Sequence, residues 1–144
     1  MQDRPDVRGL LEAAREFLSG ELLDALTDER MRFRVRIAAN LLAIAQREIE
    51  RGAAALAAER SRLERLLPDH PTPPIASAES AVEAFNTVLS RRLREGSIDA
   101  SVGSAVWRHV VETTLEKLEI ANPAFLERLA RLGIDVARAA RTER

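Results

Sequence analysis

The sequence predicts an all-α protein, an antiparallel bundle of five to six helices with one proline-rich linker inside it. Apolar residues recur at three- and four-residue spacings almost everywhere, and no window alternates for long in the manner of a half-buried strand. Helix-capping and helix-breaking residues also fall between the periodic segments rather than within them. Together these features describe a single domain over residues 1–132. The linker at 68–76 lies inside it, and an arginine-rich tail follows from 133 to 144 and frays.

The elements follow in order. Asp6 caps a first helix whose apolar stripe runs Val7, Leu10, Leu11, Ala14, Phe17, Leu18, Leu22, Ala25 and Leu26, bent near Ser19-Gly20. Thr27 or Asp28 caps a second helix that runs to about Arg51 and is stopped by Gly52. A third, alanine-rich helix covers about Ala53 to Leu67, with Leu56, Leu63, Leu66 and Leu67 on one side. The segment Pro68 to Pro74 holds four prolines in seven residues, which removes backbone donors and excludes helix. Ser80 and Glu83 form a capping box for a fourth helix with Val82, Phe85, Leu89 and Leu93 inward, ended by Gly96. Asp99 or Ser101 opens a fifth helix through Trp107 to about Ala121. Asn122-Pro123 then restarts the chain as a short sixth helix, asparagine at the N-cap and proline at the first helical position.

Composition narrows the function classes. At 144 residues, with 46% apolar and 31% charged residues, the chain has enough material for one core and is neither disordered nor membrane-spanning in character. Lys+Arg is 22 against 23 Asp+Glu, so the net charge of −1 offers no global basic surplus for nucleic acid. The local arginine runs, Arg91-Arg92-Arg94 and Arg138-Arg141-Arg144, have acidic neighbours and read as solvated faces. Aromatics at 3% leave no stacking platform for single strands. There is no cysteine, and Met1 to Val7 carries charges and a proline instead of an apolar leader, so the expected location is the cytoplasm, away from membranes. No phosphate-binding loop, dinucleotide turn or nucleophile elbow occurs, and neither His70 nor His109 has partners at metal-ligand spacing. The sequence therefore predicts no catalytic residue, no metal and no cofactor.

The informative positions are polar residues that interrupt apolar faces. On the second helix the apolar arc exceeds half the circumference, and the remainder is a stripe with Arg32, Arg36, Asn40, Arg47 and Glu50. Arg36 and Asn40 stand one turn apart there, either as an anion- or amide-binding pair or as groups that satisfy neighbouring backbone. Arg34 falls inside the apolar arc, where a charge must snorkel, pair with a carboxylate such as Glu12, Glu16, Glu112 or Glu116, or face a partner chain. Glu48 sits on the margin of the same arc. On the fifth helix, Val106, Val110, Leu118 and Ala121 define an apolar face into which Thr113, Thr114 and Lys117 intrude. Lys117 is the only lysine of the chain, and with Thr113 it makes either an anion-binding pair or a structural one, for instance with Glu48.

Three stretches carry a resemblance: MQDRPD at the start, FRVRIAANLLAIAQREIERG from Phe33 to Gly52, and TTLEKLEIANPAFL from Thr113 to Leu126. On them, residues Met1 to Leu126 resemble a family of short bacterial helical proteins of unknown function. The resemblance implies an accessory role beside kinases of the aminoglycoside-phosphotransferase type and acyl-CoA dehydrogenases, in support of a kinase acting on hydroxyacyl-CoA substrates. Its matching positions Arg36, Asn40, Glu48, Thr113, Lys117 and Asn122 overlap the interrupting polar residues. The expected function is a non-catalytic accessory subunit for such a kinase. Its alternatives are a helical module that binds a phosphate or CoA anion through Arg36, Asn40, Thr113 and Lys117, or a plain homodimer.

Overall fold

The structure, a computed structural model, describes residues 5–71 and 77–135. It is all-α, and no strand occurs among the described residues. Helix α1 spans Val7–Phe17 and continues through a π turn at Leu18–Leu22 into a last turn at Leu23–Ala25. Helices α2 (Glu29–Leu66), α3 (Ala78–Glu95), α4 (Ala105–Ala121) and α5 (Pro123–Arg131) follow. The chain divides into two compact units, Met1–Gly52 and Ala53–Arg144. None of the described helices is long and apolar enough to cross a membrane.

In the first unit, Asp6 caps α1 by accepting the Gly9 N–H at 2.9 Å, as its sequence position implies. The expected bend at Ser19-Gly20 is the π turn. The Ser19 hydroxyl donates to the Arg15 carbonyl at 2.7 Å, within a stretch where glycine weakens the helical ladder. Asp28 caps α2 through the Met31 N–H at 2.8 Å. Arg32 then donates from one nitrogen to the carbonyls of Leu23 (2.5 Å) and Leu26 (2.9 Å), so the open carbonyl end of α1 is satisfied by the first turn of α2. Among the described residues of this unit, the buried apolar side chains are Val35 and Ala39.

One expected boundary is overturned. The second and third predicted helices are a single helix of 38 residues that runs through Gly52 without a break. A glycine ends a helix when it takes the left-handed conformation, as Gly96 does at φ +67°. Gly52 is not among the positive-φ glycines, and the alanines after it favour continuing the helix. A Cβ at Gly52 would collide with the Glu48 carboxylate, which lies back over the helix there. Gly52 thus makes room for a side chain instead of a turn.

The second unit is a bundle around Leu63, Leu67, Val82, Phe85, Val88, Leu89 and Val106, with Leu56, Leu66 and Ile98 packed against them. Phe85 is its largest fully buried side chain, and the His70 ring meets it edge-on at 5.4 Å between centroids. Two starts differ from the sequence reading. Ser77 caps α3 by accepting the Ser80 N–H at 3.2 Å, so the helix opens one turn before the Ser80–Glu83 box. Ser104 caps α4 through the Trp107 N–H at 3.1 Å, while Asp99 closes a local turn onto the Ser101 N–H. In each case more than one capping residue lies near the start, and the cap is Ser77 for α3 and Ser104 for α4. Asn122 takes two roles. Its N–H donates to the Leu118 carbonyl at 2.8 Å to close α4, and its side-chain oxygen accepts the Phe125 N–H at 3.2 Å to open α5 ahead of Pro123. Most of the expected linker and tail, residues 72–76 and 136–144, lies outside the described residues.

Urea unfolding will show Phe85→Ala destabilised by about 3–5 kcal/mol, the range for emptying an aromatic core site. Asn122→Ala will lose about 1 kcal/mol, the usual cost of an N-cap.

Candidate functional site: a buried arginine fork and an uncovered helix face

In the second unit the polar chemistry gathers on Arg62, whose side chain is only 11% exposed. From α2 it reaches α4, where Nη1 donates to Glu116 Oε1 at 2.9 Å and Nη2 to Glu116 Oε2 at 2.5 Å. Nη2 also donates to Thr113 Oγ1 at 3.1 Å, and Nε lies 3.6 Å from Glu112 Oε2. This is the two-pronged geometry in which guanidinium and carboxylate match best. The Glu116 hydrogen bonds hold the arginine pKa above its ordinary value, although burial opposes them. One turn earlier on α2, buried Glu59 accepts from Asn86 Nδ2 of α3 at 3.0 Å and pairs with Lys117 Nζ at 3.4 Å. A cation and an anion spaced i, i+3 on α2 therefore tie it to both α3 and α4.

His109 is buried beside this cluster, and its Nδ1 has no hydrogen-bond partner. Burial lowers its pKa, and the Arg62 charge lowers it further against the opposing pull of Glu59 and Glu112. The imidazole is accordingly neutral at pH 7. A cavity of about 230 Å³ opens here between α2 and α4, with Arg62, Arg65, Arg108, His109 and Glu112 around it and Leu66 and Ala105 as its apolar wall. Among the described residues, no group of three or more His, Asp or Glu is placed to hold a metal ion.

The sequence-selected residues divide between the units. Thr113 is buried and spent on Arg62. Lys117 is 66% exposed: its stem crosses the edge of the buried face and its ammonium meets Glu59. Its pairing partner is Glu59, where the sequence reading had named Glu48. Asn122 is the double cap already described. Arg34, Arg36, Asn40 and Glu48 belong to the first unit, and all four are exposed.

These four surround an uncovered face. On α2, Val35 and Ala39 are buried, yet Phe33, Ile37 and Leu41 are 60%, 45% and 59% exposed. At about 100° per residue, Ile37 lies on the side of the helix opposite Val35. The helix is thus apolar on two opposing sides, and only one is closed. Arg34 borders Leu41 on one margin of the open side, Arg36 and Asn40 stand on the other, and Glu48 marks its far end. The arginine that looked costly inside an apolar arc is hydrated, because that part of the arc is uncovered. Helix α1 repeats the pattern: Val7, Leu10 and Phe17 are each more than half exposed.

A family model described as Domain of unknown function (DUF6285) matches residues 24–125, and the chain belongs to that family. No curated protein and no solved structure matches it. The matched span holds the uncovered face of α2, the Arg62 fork and the cavity.

Sequence reasoning missed Glu59, Arg62 and His109. The signal available was that Glu59 falls between Leu63 and Leu66 on the helical wheel of the leucine face, with a cation three residues on.

Two outcomes are expected. Arg62→Lys keeps the charge but loses the fork, while Arg62→Ala leaves Glu116 without its partner and costs about 3 kcal/mol or more in urea unfolding. For His109, the folded pKa lies below the ordinary 6.5. Above that value both folded and unfolded states are neutral, and stability does not depend on this group. As pH falls below about 6.5 the unfolded chain takes up a proton that the folded one refuses, so stability drops. Unfolding free energies measured from pH 7.5 to 5.5 will show that decline in the wild type and a flatter profile in His109→Gln.

Proposed function

We propose that this member of the DUF6285 family is a non-catalytic accessory subunit that binds and supports a phosphotransferase-like kinase of the hydroxyacyl-CoA type. The observation that carries an interaction role is the second apolar side of α2 in the first unit, with Phe33, Ile37 and Leu41 open to solvent. Full burial of such a side chain is worth about 1.5–3 kcal/mol, and at 45–60% exposure about half of that remains to be gained, so a face of this kind is stabilised by a partner. The arginines on its margin, Arg34 and Arg36, give the contact an electrostatic rim that favours an acidic counterpart. The kinase is the partner implied by the resemblance of Phe33–Gly52 and Thr113–Leu126 to proteins encoded beside such enzymes. The buried polar groups support the same reading, since Arg62, Glu116, Thr113 and Glu59 are engaged with one another and hold helices together.

Tagged protein recovered from its native host should carry a phosphotransferase-like kinase, and co-expression should raise that kinase's solubility or rate. Leu41→Asp should weaken the association by about tenfold or more, as polar substitution of an interface anchor does. Its own thermal unfolding should stay close to wild type, because Leu41 is exposed in the free protein. A well-behaved kinase that gains nothing at any ratio of the two proteins sinks the reading. Recovery of the protein only with itself reassigns the open face to a homodimer.

A further inference from the structure

We propose that the cavity between α2 and α4 is a binding site for a phosphate-type oxyanion. This site is separate from the uncovered face of the first unit and does not depend on the identity of any protein partner.

The cavity is charged on one side of the balance. Arg62, Arg65 and Arg108 line it with one carboxylate, Glu112, and the fifth titratable group, His109, is neutral at pH 7. Glu116 meets the Arg62 charge, whereas Arg65 and Arg108 bond only neutral oxygens. The three guanidiniums are not equivalent. Arg62 is fixed by its fork on Glu116, which offsets its charge, and forms a floor that cannot swing away. Arg65 and Arg108 come from different helices, Arg65 exposed and Arg108 half-buried. Arg65 donates to Ser61 Oγ at 3.0 Å, and Arg108 donates to the Gly103 carbonyl at 3.3 Å. Those bonds are to neutral oxygens and use one nitrogen of each group. A guanidinium has five N–H donors in a planar fork, so most of the donors on both side chains remain for a ligand.

Backbone charge adds to this. Ala105, the first residue of α4, lies on the wall, so the N-terminal turn of a helix of 17 residues borders the same space. Size fits as well. About 230 Å³ far exceeds the ~10–15 Å³ that one water needs, and it leaves room for a tetrahedral oxyanion with a small substituent. Planar forks approaching from two helices suit an anion with several oxygens better than a monatomic ion such as chloride. The wall of Leu66 and Ala105 gives the substituent of a phosphate ester an apolar surface to lie on.

The test uses the full chain, with inorganic phosphate and glycerol 3-phosphate as probes at constant ionic strength set by sodium chloride. Side-chain Nε–H resonances of arginine are followed through each titration. Saturable shifts at Arg62, Arg65 and Arg108 are expected with at least one probe. Arg65→Gln and Arg108→Gln should each weaken binding by about tenfold, the scale of one charge-assisted contact, while Arg91→Gln on α3 leaves it unchanged. Tighter binding of the ester assigns the site to phosphomonoesters, and tighter binding of inorganic phosphate assigns it to the free ion. Both variants leave the Arg62–Glu116 fork in place, so loss of binding is not loss of fold. Shifts that never saturate, that chloride alone reproduces, or that the two variants leave unaltered overturn the proposal.

Discussion

The second unit turns on the fork that Arg62 makes with Glu116. Its core cluster is leucine, valine and isoleucine around one aromatic, Phe85, and such surfaces slide past one another at little cost because dispersion has no direction. The fork does have direction. A shift of α4 by one helical turn would move Glu116 by about 5.4 Å and break both bonds at once. Glu59, held by Asn86 and Lys117, applies the same condition to α3. Buried ion pairs are poor sources of net stability, since desolvation offsets most of their attraction. Their geometry is met in one register only, a condition that apolar contact by itself does not impose.

The first unit follows a different logic. The polar contacts that order its helices include local ones: Asp6 and Asp28 cap helices, and Arg32 satisfies the carbonyl end of α1. Among its described residues no charged side chain is buried, and the core is small, centred on Val35 and Ala39. Meanwhile Val7, Leu10, Phe17, Phe33, Ile37 and Leu41 remain in water. Single exposed hydrophobics are ordinary on any protein surface. Three of them at i, i+4 and i+8 on one helix, edged by arginines, form a stripe, and a stripe is what a second helix packs into.

What was legible in the sequence was local. Asp6, Asp28, Gly96 and Asn122-Pro123 act within four residues of their effects, and each is found in the role its position implies. Gly52 was misread because a glycine marks a helix end only when the chain turns left-handed there, and nothing after Gly52 forces that. The phase of α4 was misread by a related error. Its buried line is Val106, His109, Thr113 and Ile120, so counting apolar residues alone rotates the face toward Val110 and draws Lys117 inward. The Arg62 fork was out of reach for another reason. Its partners lie 51 and 54 residues away, beyond the proline segment and α3, and no local rule spans that distance.

These two readings of polar residues lead to one physical distinction. A charge inside an apolar arc can be there because a distant carboxylate meets it, as at Arg62 and Glu59, or because the arc is open, as at Arg34. Sequence periodicity flags both in the same way, and only tertiary structure separates them. The first kind constrains the fold and has little freedom left for a ligand, which is why Thr113 serves as a brace here. The second kind is hydrated and uncommitted, so it influences what docks beside it. Arg65 and Arg108 lie between these cases, since each gives one nitrogen to a neutral oxygen and keeps the rest available. Arg62 beside them is met by Glu116 and Glu112. The charge open to a ligand is therefore that of Arg65 and Arg108, two guanidiniums on the wall of a cavity whose lining carboxylate, Glu112, is shared with Arg62.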